Sequence, residues 1–167
     1  ATGRRFVVKF QGAYHGWHDS VAMNGIATPP ERLNMLDPAP GVHRGLASET
    51  LIAPYNDLAA VERLFAEHGD AIAAVIVEPI LHTIGNILPE PGFHEGLRAI
   101  TRRYGAVFVF DEMVTGFRHA VGGYQALIGL DPDLTTFGKG VANGYPIAGV
   151  AGKRSLMDDF ATNPGGR

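Results

Sequence analysis

The stretch Ala106–Gly152 reads AVFVFDEMVTGFRHAVGGYQALIGLDPDLTTFGKGVANGYPIAGVAG, and the fold class follows from it. The apolar run Val107-Phe108-Val109-Phe110 has the length and composition of a buried strand and ends in the acidic pair Asp111-Glu112. A second short run, Leu134-Thr135-Thr136-Phe137, ends in Gly138-Lys139-Gly140. Ligands of open α/β sheets bind beyond the carboxyl ends of the strands, so both charged groups are expected at one rim. An acid and a lysine there suit a cofactor site in which one charge tunes a ring and the other holds it covalently.

Upstream, the chain alternates between two periods. Arg5–Phe10 is a short apolar strand, followed by the aromatic, glycine-punctuated loop Gln11-Gly12-Ala13-Tyr14-His15-Gly16-Trp17-His18-Asp19. Asn24–Ser48 has no sustained period and reads as a long irregular excursion. After a weak strand at Leu51–Ala53, Asn56 or Asp57 caps a helix with apolar positions at Leu58, Val61, Leu64 and Phe65, stopped by Gly69. Ile72–Val77 is a continuous β-branched strand ending in Glu78-Pro79. Phe93, Leu97, Ile100 and Tyr104 mark an amphipathic helix closed by Gly105.

Downstream of Asp111 come a short helix near Gly123–Ile128, a strand candidate at Ile147–Ala151 and a helix over Arg154–Phe160. The alternation predicts a single α/β domain over residues 1–167. Its architecture is three-layer, a mainly parallel sheet with helices on both faces.

Composition narrows the function. Seventeen acidic and 14 basic residues give a net charge of −3, no footprint for nucleic acid or an anionic membrane. There is no cysteine, which removes disulfides and thiolate chemistry. No apolar run is long enough to span a bilayer and no signal-peptide pattern opens the chain, so a soluble cytoplasmic protein is the expectation.

Each candidate residue has a plain reading beside the chemical one. Asp111 can simply cap the turn after its strand. Glycines flanking Lys139 suit the close approach of a flat ligand, though a phosphate-binding lysine would look similar. Tyr14-His15-Gly16 reads equally as a loop aromatic with its turn glycine, and Glu78 as a second capping acid. The seven histidines lack metal-ligand spacing. Neither GxGxxG nor GxxxxGK[ST] occurs.

The order of these motifs is more specific than any one of them. Tyr14-His15-Gly16, then Val77-Glu78-Pro79, then Asp111-Glu112-Met113-Val114-Thr115-Gly116-Phe117-Arg118, then Pro132–Lys139 closely resembles the class III aminotransferases, fold-type I enzymes dependent on pyridoxal 5′-phosphate. The resemblance implies that Lys139 forms the internal aldimine and moves the proton between carbons. It implies that Asp111 faces the pyridine nitrogen, that Tyr14 stacks on one ring face, and that Met113 packs on the other, where the family usually has valine or isoleucine. His15 travels with the tyrosine, and Glu78 belongs to the polar shell. Thr83 stands where relatives often carry an asparagine bonded to the phenolic oxygen, and its hydroxyl can donate the same bond. The substrates implied are a small-molecule amino donor and acceptor.

The same resemblance implies a domain truncated at both ends. Family members carry an N-terminal covering segment, an upstream Gly-Ser/Thr loop that holds the cofactor phosphate, and a C-terminal small domain. They are obligate dimers, so a homo-oligomer is expected. Two readings follow: a half-sized aminotransferase or aminomutase with weakened cofactor binding, or a non-catalytic remnant that folds and oligomerises with its site vacant or differently occupied.

Overall fold

A computed structural model of the chain describes residues 1–26, 28–33 and 35–162; residues 163–167 lie outside the described residues. Six strands form one sheet: β1 (Phe6–Phe10), β2 (Thr50–Ala53), β3 (Ile72–Val77), β4 (Val107–Asp111), β5 (Leu134–Phe137) and β6 (Gly149–Gly152). Their order is β2-β1-β3-β4-β5-β6. The first five run parallel, and β6 closes antiparallel on β5. The helices are α1 (Arg44–Ala47), α2 (Leu58–His68), α3 (Phe93–Tyr104), α4 (Gly123–Ile128) and α5 (Arg154–Thr162). Parallel neighbours need crossovers, and α2, α3 and α4 lie in the connections β2–β3, β3–β4 and β4–β5.

β3, β5, α3 and α4 have the bounds that the sequence predicts. The excursion after Asn24 is irregular as expected, apart from a 3-10 turn at Pro30–Arg32 and the single turn of α1. β6 begins two residues later than the apolar run from Ile147 implies, and Gly149 explains the shift. A Cβ at 149 would sit 2.8 Å from the Phe137 ring, so the chain closes on β5 at the glycine. Ile147 itself stays exposed.

Strand alternation sends Val8, Phe10, Val75, Val77, Phe108 and Phe110 to one face, where Val61 and Phe65 of α2 and Phe93, Leu97 and Ile100 of α3 complete the core. Burying each such side chain contributes roughly 2 kcal/mol. Phe10 meets Phe93 edge-on, with ring centroids 5.6 Å apart. The two helices approach closely because position 96 is glycine: a Cβ there would lie 2.4 Å from Leu58 Cδ1. The opposite parity of β1 and β4 carries Lys9 and Asp111 to the other face, which the loop after β1 covers.

One ion cluster ties the helix layer to the sheet ends. Arg98 of α3 donates from Nη1 and Nη2 to Asp133 Oδ2 and Oδ1 at 2.7 and 2.8 Å. Asp133 also accepts the Phe108 N–H at 2.9 Å and the Lys153 ammonium at 2.7 Å. Burial alone would raise the Asp133 carboxyl, but the Arg98 and Lys153 bonds outweigh it and hold the pKa at about 2. A folded-state pKa below the unfolded one means that this stabilisation is complete above about pH 4 and fades as pH falls toward 2. Asp133→Asn should therefore cost about 3 kcal/mol near neutrality, because it leaves Arg98 with only the exposed Asp131 carboxylate at 3.8 Å. Urea midpoints of the two proteins from neutral pH downward check this. The gap between them should be constant at first and narrow below about pH 4.

Candidate functional site

β4 delivers Asp111 to the carboxyl rim in register with Thr136 of β5. Thr136 Oγ1 donates to Asp111 Oδ1 at 2.9 Å, and the Met113 N–H donates to the same oxygen at 3.1 Å. The other oxygen, Oδ2, lies 2.6 Å from His15 Nδ1, whose side chain is only 1% exposed. Burial pushes the Asp111 pKa up, but the hydrogen bond and charge of His15, with Met113 and Thr136, pull it below the ordinary carboxylate value. The carboxylate is thus ionised at neutral pH, and the proton of the pair sits on His15 Nδ1. His15 Nε2 is buried and has no hydrogen-bond partner among the described residues.

Glu78 stands at the end of β3, 4% exposed. Its Oε1 accepts the Tyr14 N–H at 3.0 Å, and Oε2 accepts the His82 N–H at 3.4 Å. The acid therefore fixes the backbone of the Tyr14 loop. The Tyr14 ring is left 45% exposed at the rim and meets Trp17 edge-on.

Lys139 follows β5 with a left-handed backbone, φ 43. Its side chain is exposed and has no hydrogen-bond or ion-pair partner among the described residues. The flanking glycines answer to local packing. A Cβ at 138 would lie 2.7 Å from Met113 Cε, and one at 140 would lie 3.0 Å from the Gly116 carbonyl oxygen. Met113 consequently rests on Gly138, beside Lys139. A chain of contacts thus runs from Gly138, the neighbour of Lys139, through Met113 to Asp111 and His15, then along the backbone to Tyr14 and Glu78. Thr83 is half-buried, five residues beyond Glu78, and stands outside this chain without a hydrogen bond of its own among the described residues.

Three polar residues act here without being singled out by the sequence. Thr136 was legible in principle, since parallel register and alternation set it beside Asp111. Lys9, fully buried, binds carbonyls of the loop after β1, and nothing local in the sequence signals that. Glu112 turns away from its neighbour Asp111. Its carboxylate accepts from Thr115 Oγ1 at 2.8 Å and from the Tyr124 and Gln125 N–H groups at 2.7 and 2.9 Å, which caps α4. Gly123 makes the room: a Cβ there would meet Glu112 Oε1 at 2.5 Å.

The family model for aminotransferase class-III matches residues 1–167. A glutamate-1-semialdehyde 2,1-aminomutase from Syntrophomonas wolfei is 48% identical over 163 residues, which is 96% of this chain and 37% of that protein. An omega-transaminase structure from Sphaerobacter thermophilus matches with a TM-score of 0.86 at 35% identity, over 99% of this chain and 38% of the other. A glutamate-1-semialdehyde-aminomutase from Pseudomonas aeruginosa, solved in complex with PMP, matches with a TM-score of 0.80 at 34% identity, over 99% and 36%. The chain spans a little more than a third of the length of these proteins.

A side chain with a Cβ held at positive φ stores strain of about 1 kcal/mol or more. Asparagine tolerates that backbone better than lysine. Lys139→Asn should accordingly raise stability by about 0.5–1 kcal/mol, seen as a higher urea midpoint at unchanged slope. A lowered midpoint would mean that Lys139 contributes packing rather than strain.

Proposed function

The chain belongs to the class III aminotransferases, and from that premise we propose that it is the cofactor-binding part of a pyridoxal-5′-phosphate-dependent aminotransferase or aminomutase. The observation that carries the proposal is the buried Asp111–His15 pair at 2.6 Å on the same rim as Lys139. The residues present fit the cofactor. Asp111 Oδ2 has one protein partner, so it keeps a lone pair for the ring N–H. The Tyr14 ring is exposed at the rim, Met113 brings a thioether toward Lys139, and the Lys139 ammonium is unengaged among the described residues.

Pyridoxal 5′-phosphate supplies an electron sink for the pair left when a proton leaves the carbon bearing the amino group. The protein's part is to hold and aim. Lys139 Nζ would hold the cofactor through its aldehyde and, once free, would move the proton between carbons, with the advantage of a tethered base. Asp111 stays anionic and so keeps the ring nitrogen protonated. His15 gives that carboxylate its partner, Thr136 and the Met113 N–H share its other oxygen, and Glu78 sets the height of Tyr14 through the Tyr14 N–H. Tyr14 and Met113 would cover the two faces of the cofactor ring. Thr83 Oγ1 is free of protein partners among the described residues and would serve the phenolic oxygen. The substrates are a small amino donor and acceptor.

The test is direct. Borohydride reduction of the full chain after addition of pyridoxal 5′-phosphate should place the label on Lys139 and remove the visible absorbance band. Asp111→Asn should retain the label while slowing amino transfer about a hundredfold or more. Label on Lys9 or Lys153 instead, or the absence of any imine, would overturn the proposal and leave the non-catalytic reading.

We also expect the chain to self-associate. Trp17 is 79% exposed, Ile26 67%, Val121 90% and Tyr145 72%, apolar side chains that association would cover. Light scattering at micromolar concentration should give a single species of at least twice the chain mass. A stable monomer of 17.8 kDa would refute it.

A further inference from the structure

We infer that Lys9 is a positioning residue for the site: its buried ammonium clasps the two ends of the loop that carries Tyr14 and His15. The inference rests on the proposed function for its catalytic consequence, and on geometry for the clasp itself. Lys9 is fully buried on the Asp111 side of β1. Nζ donates to the Ala13 carbonyl at 2.9 Å, to the Val21 carbonyl at 3.0 Å, and to the Met23 carbonyl. All three ammonium protons are therefore spent on carbonyls of one loop, so Lys9 has no proton to spare for chemistry.

The residues between these attachment points are Tyr14 to Ser20. Within the loop the His18 carbonyl accepts the Val21 and Ala22 N–H groups and His18 Nδ1 accepts the Ser20 N–H, and four ties lead outward. Tyr14 N–H reaches Glu78, His15 reaches Asp111, His43 N–H reaches Asp19 Oδ2 at 3.4 Å, and the Ser20 carbonyl accepts from Thr50 Oγ1 at 2.5 Å. Three carbonyl oxygens converging on one buried point repel one another unless a cation stands among them. Removing the ammonium should thus open the loop at both ends at once. Ala13 immediately precedes Tyr14, so its displacement moves both the ring and His15. Burial draws the Lys9 pKa down to about 8, with the Glu78 charge opposing, which leaves the group mostly protonated at neutral pH.

The loop also contains its own reporter, since Trp17 is the single tryptophan of the chain. Lys9→Met keeps the stem and removes all three donors, whereas Lys9→Gln restores two without charge. For a Lys9→Met protein that keeps its circular dichroism and a cooperative urea transition, the fluorescence anisotropy of Trp17 should fall, since the already exposed ring would gain local mobility. The dissociation constant for pyridoxal 5′-phosphate should increase about tenfold, the scale of one lost charge-assisted hydrogen bond. Lys9→Gln should fall between. Most of the increase should vanish in a His15→Ala background, because both changes would release the same contact to Asp111.

Lower stability with unchanged Trp17 anisotropy, or an effect fully additive with His15→Ala, would overturn the inference and leave Lys9 a purely structural residue. If the unsubstituted protein binds no pyridoxal 5′-phosphate, the proposed function fails while Trp17 anisotropy still decides on the clasp. Should neither variant fold, the unsubstituted protein decides. An exchange-protected ¹⁵N ammonium resonance from Lys9 supports the clasp, and a freely exchanging one overturns it.

Discussion

The site depends on keeping one carboxylate ionised while buried. An unpaired buried charge costs several kcal/mol, so Asp111 is tolerable only because donors reach it from three directions. Each donor constrains a different part of the molecule. Thr136 requires that β4 and β5 pair in one register, since a slip of one residue would turn the hydroxyl to the core face. The Met113 N–H requires the tight turn after β4. His15 requires that a loop from β1, two strands away, reach across the end of β3. The fold can be understood as the arrangement that satisfies this single anion.

The architecture was legible because its signals are local and periodic. Val107–Phe110 and Ile72–Val77 announce buried strands by continuous apolar runs, and Gly105 stops α3 with a left-handed φ of 64 where the sequence places a cap. Both candidate charges then fall at the rim by the rule that parallel strands present ligands at their carboxyl ends. Lys139 and Asp111 needed nothing more than that rule and the resemblance.

What resisted reading is the pairing of side chains across the sheet. Nothing near His15 says that its partner lies 96 residues away. Lys9 sits in a strand whose other residues are apolar, and its burial makes sense only once the following loop folds back over it. The adjacent acids Asp111 and Glu112 look alike in sequence, yet consecutive residues at a strand end point to opposite sides, and one serves the rim while the other caps α4. The glycines around Lys139 were read for a ligand's approach. They are demanded by Met113 and by the Gly116 carbonyl, a packing cause that the sequence alone does not reveal.

The long reach from His15 to Asp111 has a consequence for how the chain folds. Joining distant segments costs loop-closure entropy before it returns any contact energy, and parallel strand pairs are slow to form for that reason. The imidazole can meet the carboxylate only after β1, β3 and β4 have aligned, so their bond belongs to the last events of folding. Interactions made that late leave the folding rate almost untouched and act on the rate of unfolding instead. The pair that tunes the rim thus doubles as a late lock, governing how long the folded chain persists once formed.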